Sequence, residues 1–231
     1  MRLIQMRFSH NCVKVRLALE RKGLAYDTQE ISPLDRGPVV AASGQRLVPA
    51  LVDGGRSIAD STAILRYLEE AYPQRSLLPD DPGQHASCWL IEDWADGAFM
   101  ELSRRTAYWQ RIRTPGALVT TMFPKARGWR RWVLVRRVPR VLTKRFGLSA
   151  ERNAQDEKQA PRLARLALDR LAGRPWLFGE RASVADVGLA AMVAPLHLAA
   201  RHVREDPAVG ELLAWARPVL GDEITRLYVP T

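Results

Sequence analysis

Apolar positions in the first 72 residues fall into short runs divided by turn residues. Leu3-Ile4-Gln5-Met6 predicts a short buried strand. Ser9-His10-Asn11 interrupts it. Val13, Val15, Leu17, Ala18 and Leu19 follow, with Lys14, Arg16, Glu20 and Arg21 among them, and predict a helix that Gly23 stops. Ala25 to Ile31 predicts a second strand. Residues 32–46 hold Pro33, Gly37, Pro38 and Gly44 and read as irregular. Leu47 to Val52 predicts a third strand, although Pro49 has no N–H to give a sheet ladder. Asp53-Gly54-Gly55-Arg56 is a hairpin turn and Ser57-Ile58-Ala59 a fourth strand. Asp60-Ser61 then caps a helix whose apolar face is Ile64, Leu65, Leu68 and Tyr72, and Pro73 ends it.

The pattern changes after that proline. Leu77 to Pro82 reads as a linker, and from residue 83 onward the periodicity is helical. One helix is expected over Ala86 to Ser103 and another over Asp156 to Ala172, with one or two more between them. Ser183-Val184-Ala185-Asp186 is a capping box with Asp in place of Glu. The helix after it, to about Ala194, is apolar nearly all round and should be buried. The expected architecture is an α/β domain of order βαβ-ββα over residues 1–74, a linker over 75–82 and an all-helical domain over 83–231.

Hydrophobic residues make up 47% of the 231 and charged residues 26%, which excludes a mainly disordered chain. The two cysteines, Cys12 and Cys88, are too few for a disulfide framework or a four-ligand zinc site. No metal is expected, because the four histidines show no ligand spacing with them. Met1 to Met6 shows no secretory pattern, and the longest apolar stretch, Val187 to Ala200, is broken by Pro195 and His197. It falls short of the ~20 apolar residues of a membrane span. A reducing, cytoplasmic setting is expected.

The net charge of +10 is not spread evenly. Residues 102–150 hold 13 basic and no acidic residues, while the flanking segments are close to balanced. Trp129 and Trp132 lie in this block. It reads first as solvated helix faces, partly buried through Val133, Leu134, Val135, Val138 and Val141. It could also draw anionic small molecules toward a cleft. Nucleic acid or an anionic membrane surface is a less favoured partner, since no zinc-finger, KH or RRM-type motif accompanies it.

The loop after the first strand carries the most chemistry. Ser9 sits at a helix N-terminus, where free N–H groups and the dipole favour an anion, including a thiolate. Its hydroxyl could donate to a bound thiol sulfur, or could only cap the helix. Cys12, in the first turn, could be reactive or a packing residue. Arg7 and His10 flank the loop. Val48-Pro49 suggests a cis peptide bond that presents the Val48 main chain to an extended peptide. Asp60 can bind an ammonium and Ser61 a carboxylate, which together form the head of an amino acid.

Ser9 through Leu19, Gly44 through Ser61 and the Ser183-x-x-Asp186 box resemble the soluble glutathione transferases. The first motif is similar to the serine-type, theta- and zeta-like start. With Ser43 to Pro49 it looks most like bacterial chi-class members. The resemblance implies a thioredoxin-like domain that binds glutathione as co-substrate and a helical domain that holds a small electrophile, in a homodimer. It implies Ser9 as the thiol-activating hydroxyl, Val48 and Pro49 on the cysteinyl backbone, and Asp60 and Ser61 on the γ-glutamyl head. The family's usual base for the glycyl carboxylate is replaced by Leu47, leaving Arg46 or Gln45 for that contact. Tyr108, Trp109 and Met122 are candidates for the electrophile site, and Asp93 and Asp96 for the ligand's ammonium. Two other activities fit the same fold: a glutathione-dependent reductase or isomerase, and a non-catalytic protein that binds anions or other proteins.

Overall fold

The computed structural model describes residues 1–228. A four-stranded sheet is built from β1 (Arg2–Gln5), β2 (Asp27–Glu30), β3 (Ala50–Asp53) and β4 (Arg56–Ala59), in the order β2-β1-β3-β4. β1 and β2 are parallel, while β3 is antiparallel to both β1 and β4. The first helix α1 (His10–Lys22) joins the parallel pair and ends on Gly23 at φ 67°, the left-handed cap that its sequence predicts. The helix α3 (Ser61–Ala71) follows β4.

Side chains alternate across a strand, so Leu3 and Ile4 face opposite sides of the sheet. Leu3 joins the core under α1 and α3; Ile4 joins a smaller cluster with Ile31, Val39, Val48 and Ala50. The cover on that second side is α2 (Gly37–Ser43), which corrects the irregular reading of residues 32–46. Pro38 starts this helix and Gly44, at φ 72°, stops it. Seven residues with one buried side chain, Val39, are too short for a periodic signal. The third strand is also shorter than expected. Pairing begins at Ala50, after Pro49, and the Val48–Pro49 bond is cis.

The rest is helical: α4 (His85–Arg111), α5 (Pro115–Met122), α6 (Gly128–Phe146), α7 (Ala150–Leu171), α8 (Val184–Val193), α9 (Arg201–Arg204) and α10 (Pro207–Tyr228). α4 runs eight residues beyond the expected end, because Leu102, Ser103, Thr106 and Ala107 keep a buried stripe and no Gly or Pro intervenes before Pro115. α7 begins six residues early, where Ser149 accepts from the Arg152 N–H at 3.1 Å. Of the one or two helices expected for the basic block, the structure has two.

α8 is buried along its whole length, as its all-apolar pattern requires. The capping box holds: the Asp186 carboxylate accepts from the Ser183 backbone N–H and the Leu177 N–H, each at 2.8 Å. Gly188 lets α4 approach, since a Cβ there would lie 3.0 Å from the Glu92 Cγ. One continuous core runs from Leu3 and α1 through α8 to α10, so the two halves share their interior. A separate cluster of Leu118, Val119, Val138, Leu142 and Leu148 closes α5 against α6.

Candidate active site

Ser9 is the N-cap residue of α1, with extended backbone (φ −80°, ψ 120°). Its N–H donates to the Met6 carbonyl at 2.8 Å, yet its side chain makes no capping bond. The Ser9 side chain does not cap α1; it contacts the Cys12 thiol one turn further on. Ser9 lines a cavity of about 820 Å³ between the sheet domain and α4, α6 and α10. That volume lies within the usual span of small-molecule sites, roughly 300–1,000 Å³.

A second recess, about 60 Å³, gathers Leu47, Val48, Pro49, Asp60 and Ser61, with Asn11 and Gln45 completing it. Asn11, Leu47 and Val48 line both spaces, so the two are contiguous. Asp60 holds φ 77°, a conformation that side-chain-bearing residues rarely adopt. Its Oδ1 accepts from the Ala63 N–H at 3.0 Å, leaving the other carboxylate oxygen for a cation. Ser61 beside it is buried at the start of α3. Arg46, by contrast, is exposed and lines neither space. Arg7 is also outside, its backbone N–H donating to Glu30.

Cys12 is fully buried, and burial pushes its thiol up to about 12, despite opposing contacts from the Met6 backbone and the Ser9 side chain. It is a packing residue in the cluster around Ile4 and Val39. His10 lines the larger cavity, and its Nε2 has no partner among the described residues. Burial, and the nearby charges of Arg104 and Lys14, pull its pKa down to about 3. His10 is therefore neutral and poorly suited as a base. As pH falls below 6.5 the unfolded imidazole takes up a proton that the native one refuses, so stability present above 6.5 is lost toward 3. The loss should approach 1 kcal/mol or more per pH unit. The urea midpoint should fall between pH 7 and pH 5 in the wild type and fall less in His10→Gln; parallel pH curves would remove His10 as the cause.

Of the residues suggested for the electrophile, Tyr108 and Met122 line the larger cavity. Trp109 does not; it packs on the α5–α6 cluster. Asp96 accepts from Lys14 Nζ at 2.8 Å through Oδ2, while its Oδ1 is buried without a partner among the described residues; Asp93 is exposed, and neither lines the cavity or the recess. Lys14 is fully buried and also donates to Glu92 at 2.5 Å and to the Thr62 hydroxyl at 3.1 Å. The basic block divides. Arg104, Arg111, Arg137 and Arg145 line the cavity, Arg131 ties α6 to the Gly116 carbonyl and the Thr120 hydroxyl, and Arg130, Arg136 and Arg140 face solvent. Sequence reasoning missed Asn11 and Arg36 in these walls. The C-terminal helix closes one side: Gly221 breaks α10, and the Tyr228 hydroxyl donates to the Phe8 carbonyl at 3.1 Å, next to Ser9.

A thioredoxin-like sheet domain is joined to a helical domain, with a recess at the α3 start opening into a cavity between them, and this fold is shared with solved glutathione transferases. Residues 3–76 match the family model described as the glutathione S-transferase N-terminal domain. A Triticum aestivum glutathione S-transferase is 40% identical over 68 residues, 29% of this chain and 32% of that protein. A Pseudomonas aeruginosa maleylacetoacetate isomerase is 40% identical over 85 residues, 34% of this chain and 40% of that protein. The matched segment thus spans well under half the length of these curated relatives. Rice GST1, solved in complex with glutathione, aligns over 100% of this chain and 92% of its own, with a TM-score of 0.68 and 19% identity. No helix among the described residues is long and apolar enough to cross a membrane.

Proposed function

We propose that the protein is a serine-type glutathione transferase, which adds the glutathione thiolate to a small electrophile. The observation that carries this reading is Ser9 at a helix N-terminus, its side chain making no capping bond, facing the cavity that adjoins the Asp60–Ser61 recess. The γ-glutamyl ammonium sits on Asp60 and its carboxylate on the Ser61 end of α3. The cysteinyl backbone pairs with the Val48 main chain, as an added strand would. This directs the sulfur toward Ser9, whose O–H donates to the thiolate and lowers its pKa. The sulfur then attacks the electrophile held in the larger cavity. A cytoplasmic homodimer with a detoxifying role belongs to the same reading.

Cys12 does not favour the reductase alternative, because a thiol pushed up to about 12 by burial supplies no thiolate near neutrality. The isomerase alternative uses the same activated sulfur, and the Pseudomonas relative favours keeping it as a second reading. Ultraviolet titration of the thiolate of bound glutathione tests the common step: an apparent pKa near that of the free tripeptide would end both.

Asp60→Asn isolates the head-group contact. Asparagine keeps the capping acceptor and tolerates positive φ, but carries no charge. Glutathione affinity should fall about tenfold, the range of a charge-assisted hydrogen bond, with the melting temperature nearly unchanged. Calorimetric titration giving an unaltered affinity would move the ammonium elsewhere.

A further inference from the structure

The larger cavity has apolar walls and one-sided charge. Arg36, Arg104, Arg111, Arg137 and Arg145 line it, against one carboxylate, Glu101. Glu101 is already shared between Arg104 and Arg105. Arg104 reaches in from α4 with its guanidinium carbon 4.6 Å from the Phe146 ring centre, and Arg145 comes from α6 over the same ring at 5.5 Å. The Arg104 Nε is buried without a hydrogen-bond partner among the described residues. Burial is the main influence lowering the Arg104 pKa, and Arg105 and Arg145 add to it. Burial likewise leads for Arg36, followed by Arg145 and Arg46. Arg104 and Arg111 of α4 and Arg36 before α2 therefore share a half-buried space with little counter-charge, and Arg137 and Arg145 of α6 line its exposed edge. Like charges held this way repel, and an entering anion relieves them. Guanidinium groups match planar or forked oxyanions, and an aromatic ring between two of them supplies an apolar seat.

We propose that this cavity selects a second substrate with an apolar body and an anionic oxygen group, carboxylate or sulfonate. The anion sits at Arg104 and Arg145, and the body lies along Leu118, Leu134 and Val138. The inference rests on reading this cavity as the electrophile site.

Binding of anilinonaphthalene sulfonate, an apolar sulfonate dye, is followed by fluorescence without glutathione. It is then displaced by decanoic acid or by decan-1-ol. The acid should displace the dye at about one tenth of the alcohol's concentration. Arg104→Gln and Arg145→Gln should each cut that ratio severalfold and the double variant bring it near one. Arg140→Gln, an exposed cation of α6 that lines neither space, should preserve it. Equal displacement by acid and alcohol in the wild type overturns the proposal. So does a double variant whose glutathione affinity falls as far as its affinity for the acid, since the arginines then serve the tripeptide. Acid-selective displacement by a protein that conjugates neither an acidic electrophile nor its methyl ester upholds the anion site and refutes the transferase reading instead.

Discussion

Ser9→Ala should lower the rate of glutathione conjugation about 25-fold at pH 7 and hardly at all at pH 9.5. A free thiol with a pKa near 8.5 is only about 3% ionised at pH 7. A hydroxyl donor that lowers it by about two units raises that to roughly 75%. Alanine removes the donor and leaves the recess around Asp60, Ser61 and Val48 untouched, so glutathione affinity should change little. Above pH 9 the sulfur ionises without help and the two proteins converge. The measurement is kcat against pH with a neutral electrophile at saturating glutathione. A deficit constant across that range would mean that Ser9 acts on geometry and not on ionisation.

The second large effect concerns stability. Lys14→Met should cost roughly 3–5 kcal/mol, because it strands Glu92 in the interior. Both side chains of the Lys14–Glu92 pair have no exposed surface. The pair joins α1 to α4, and Thr62 at the start of α3 donates to the same carboxylate at 3.1 Å. Burial already raises the Glu92 pKa, with Lys14 opposing. Without Lys14 the carboxyl is driven to its neutral form. A raised carboxyl pKa contributes stability below the unfolded value and loses it as pH rises, so the deficit of the variant should be largest near neutrality and shrink toward pH 4. The melting temperature at pH 7 should drop by roughly 10 °C for a chain of this size. Adding Glu92→Gln should recover much of the loss, and a double variant no better than Lys14→Met would show that packing, not charge, is at stake.

The parts of this molecule legible in the sequence were those with strong local chemistry. Gly23, the Ser183–Asp186 box and the Asp60 cap mark helix ends through their own backbone and side-chain bonding, and the structure places each where its residue type predicts. Leu47, Val48, Pro49, Asp60 and Ser61 are close in sequence across one hairpin, so their meeting around one recess follows from β3 pairing with β4. α2 was not legible as a helix, since one buried valine gives no period. An indirect signal existed: a strand as apolar as Leu3-Ile4 needs cover on both faces. Neither the meeting of Arg104 and Arg145 over Phe146 nor the pairing of Lys14 with Glu92 and Asp96 was legible. Both depend on residues 78 or more positions apart, or on helices whose mutual packing no local pattern encodes. Arg46, next to the motif in sequence, is exposed and lines neither space, whereas its neighbour Gln45 lines the recess.

The hairpin of α5 and α6 rests on a small interior of its own, apart from the one that runs from Leu3 to α10. Yet it supplies Leu118, Val138 and Arg145 to the cavity wall. Part of the cavity wall thus rests on a packing unit other than the one beneath α1 and α3, meeting α4 through Tyr108, Trp109 and Ile112. Substitutions in the hairpin should reshape the cavity while the core beneath α1 and α3 keeps its stability, and backbone amides in α5 and α6 should exchange with solvent well before those of α8. Chemical versatility is in this way lodged in the part of the chain that can best absorb change.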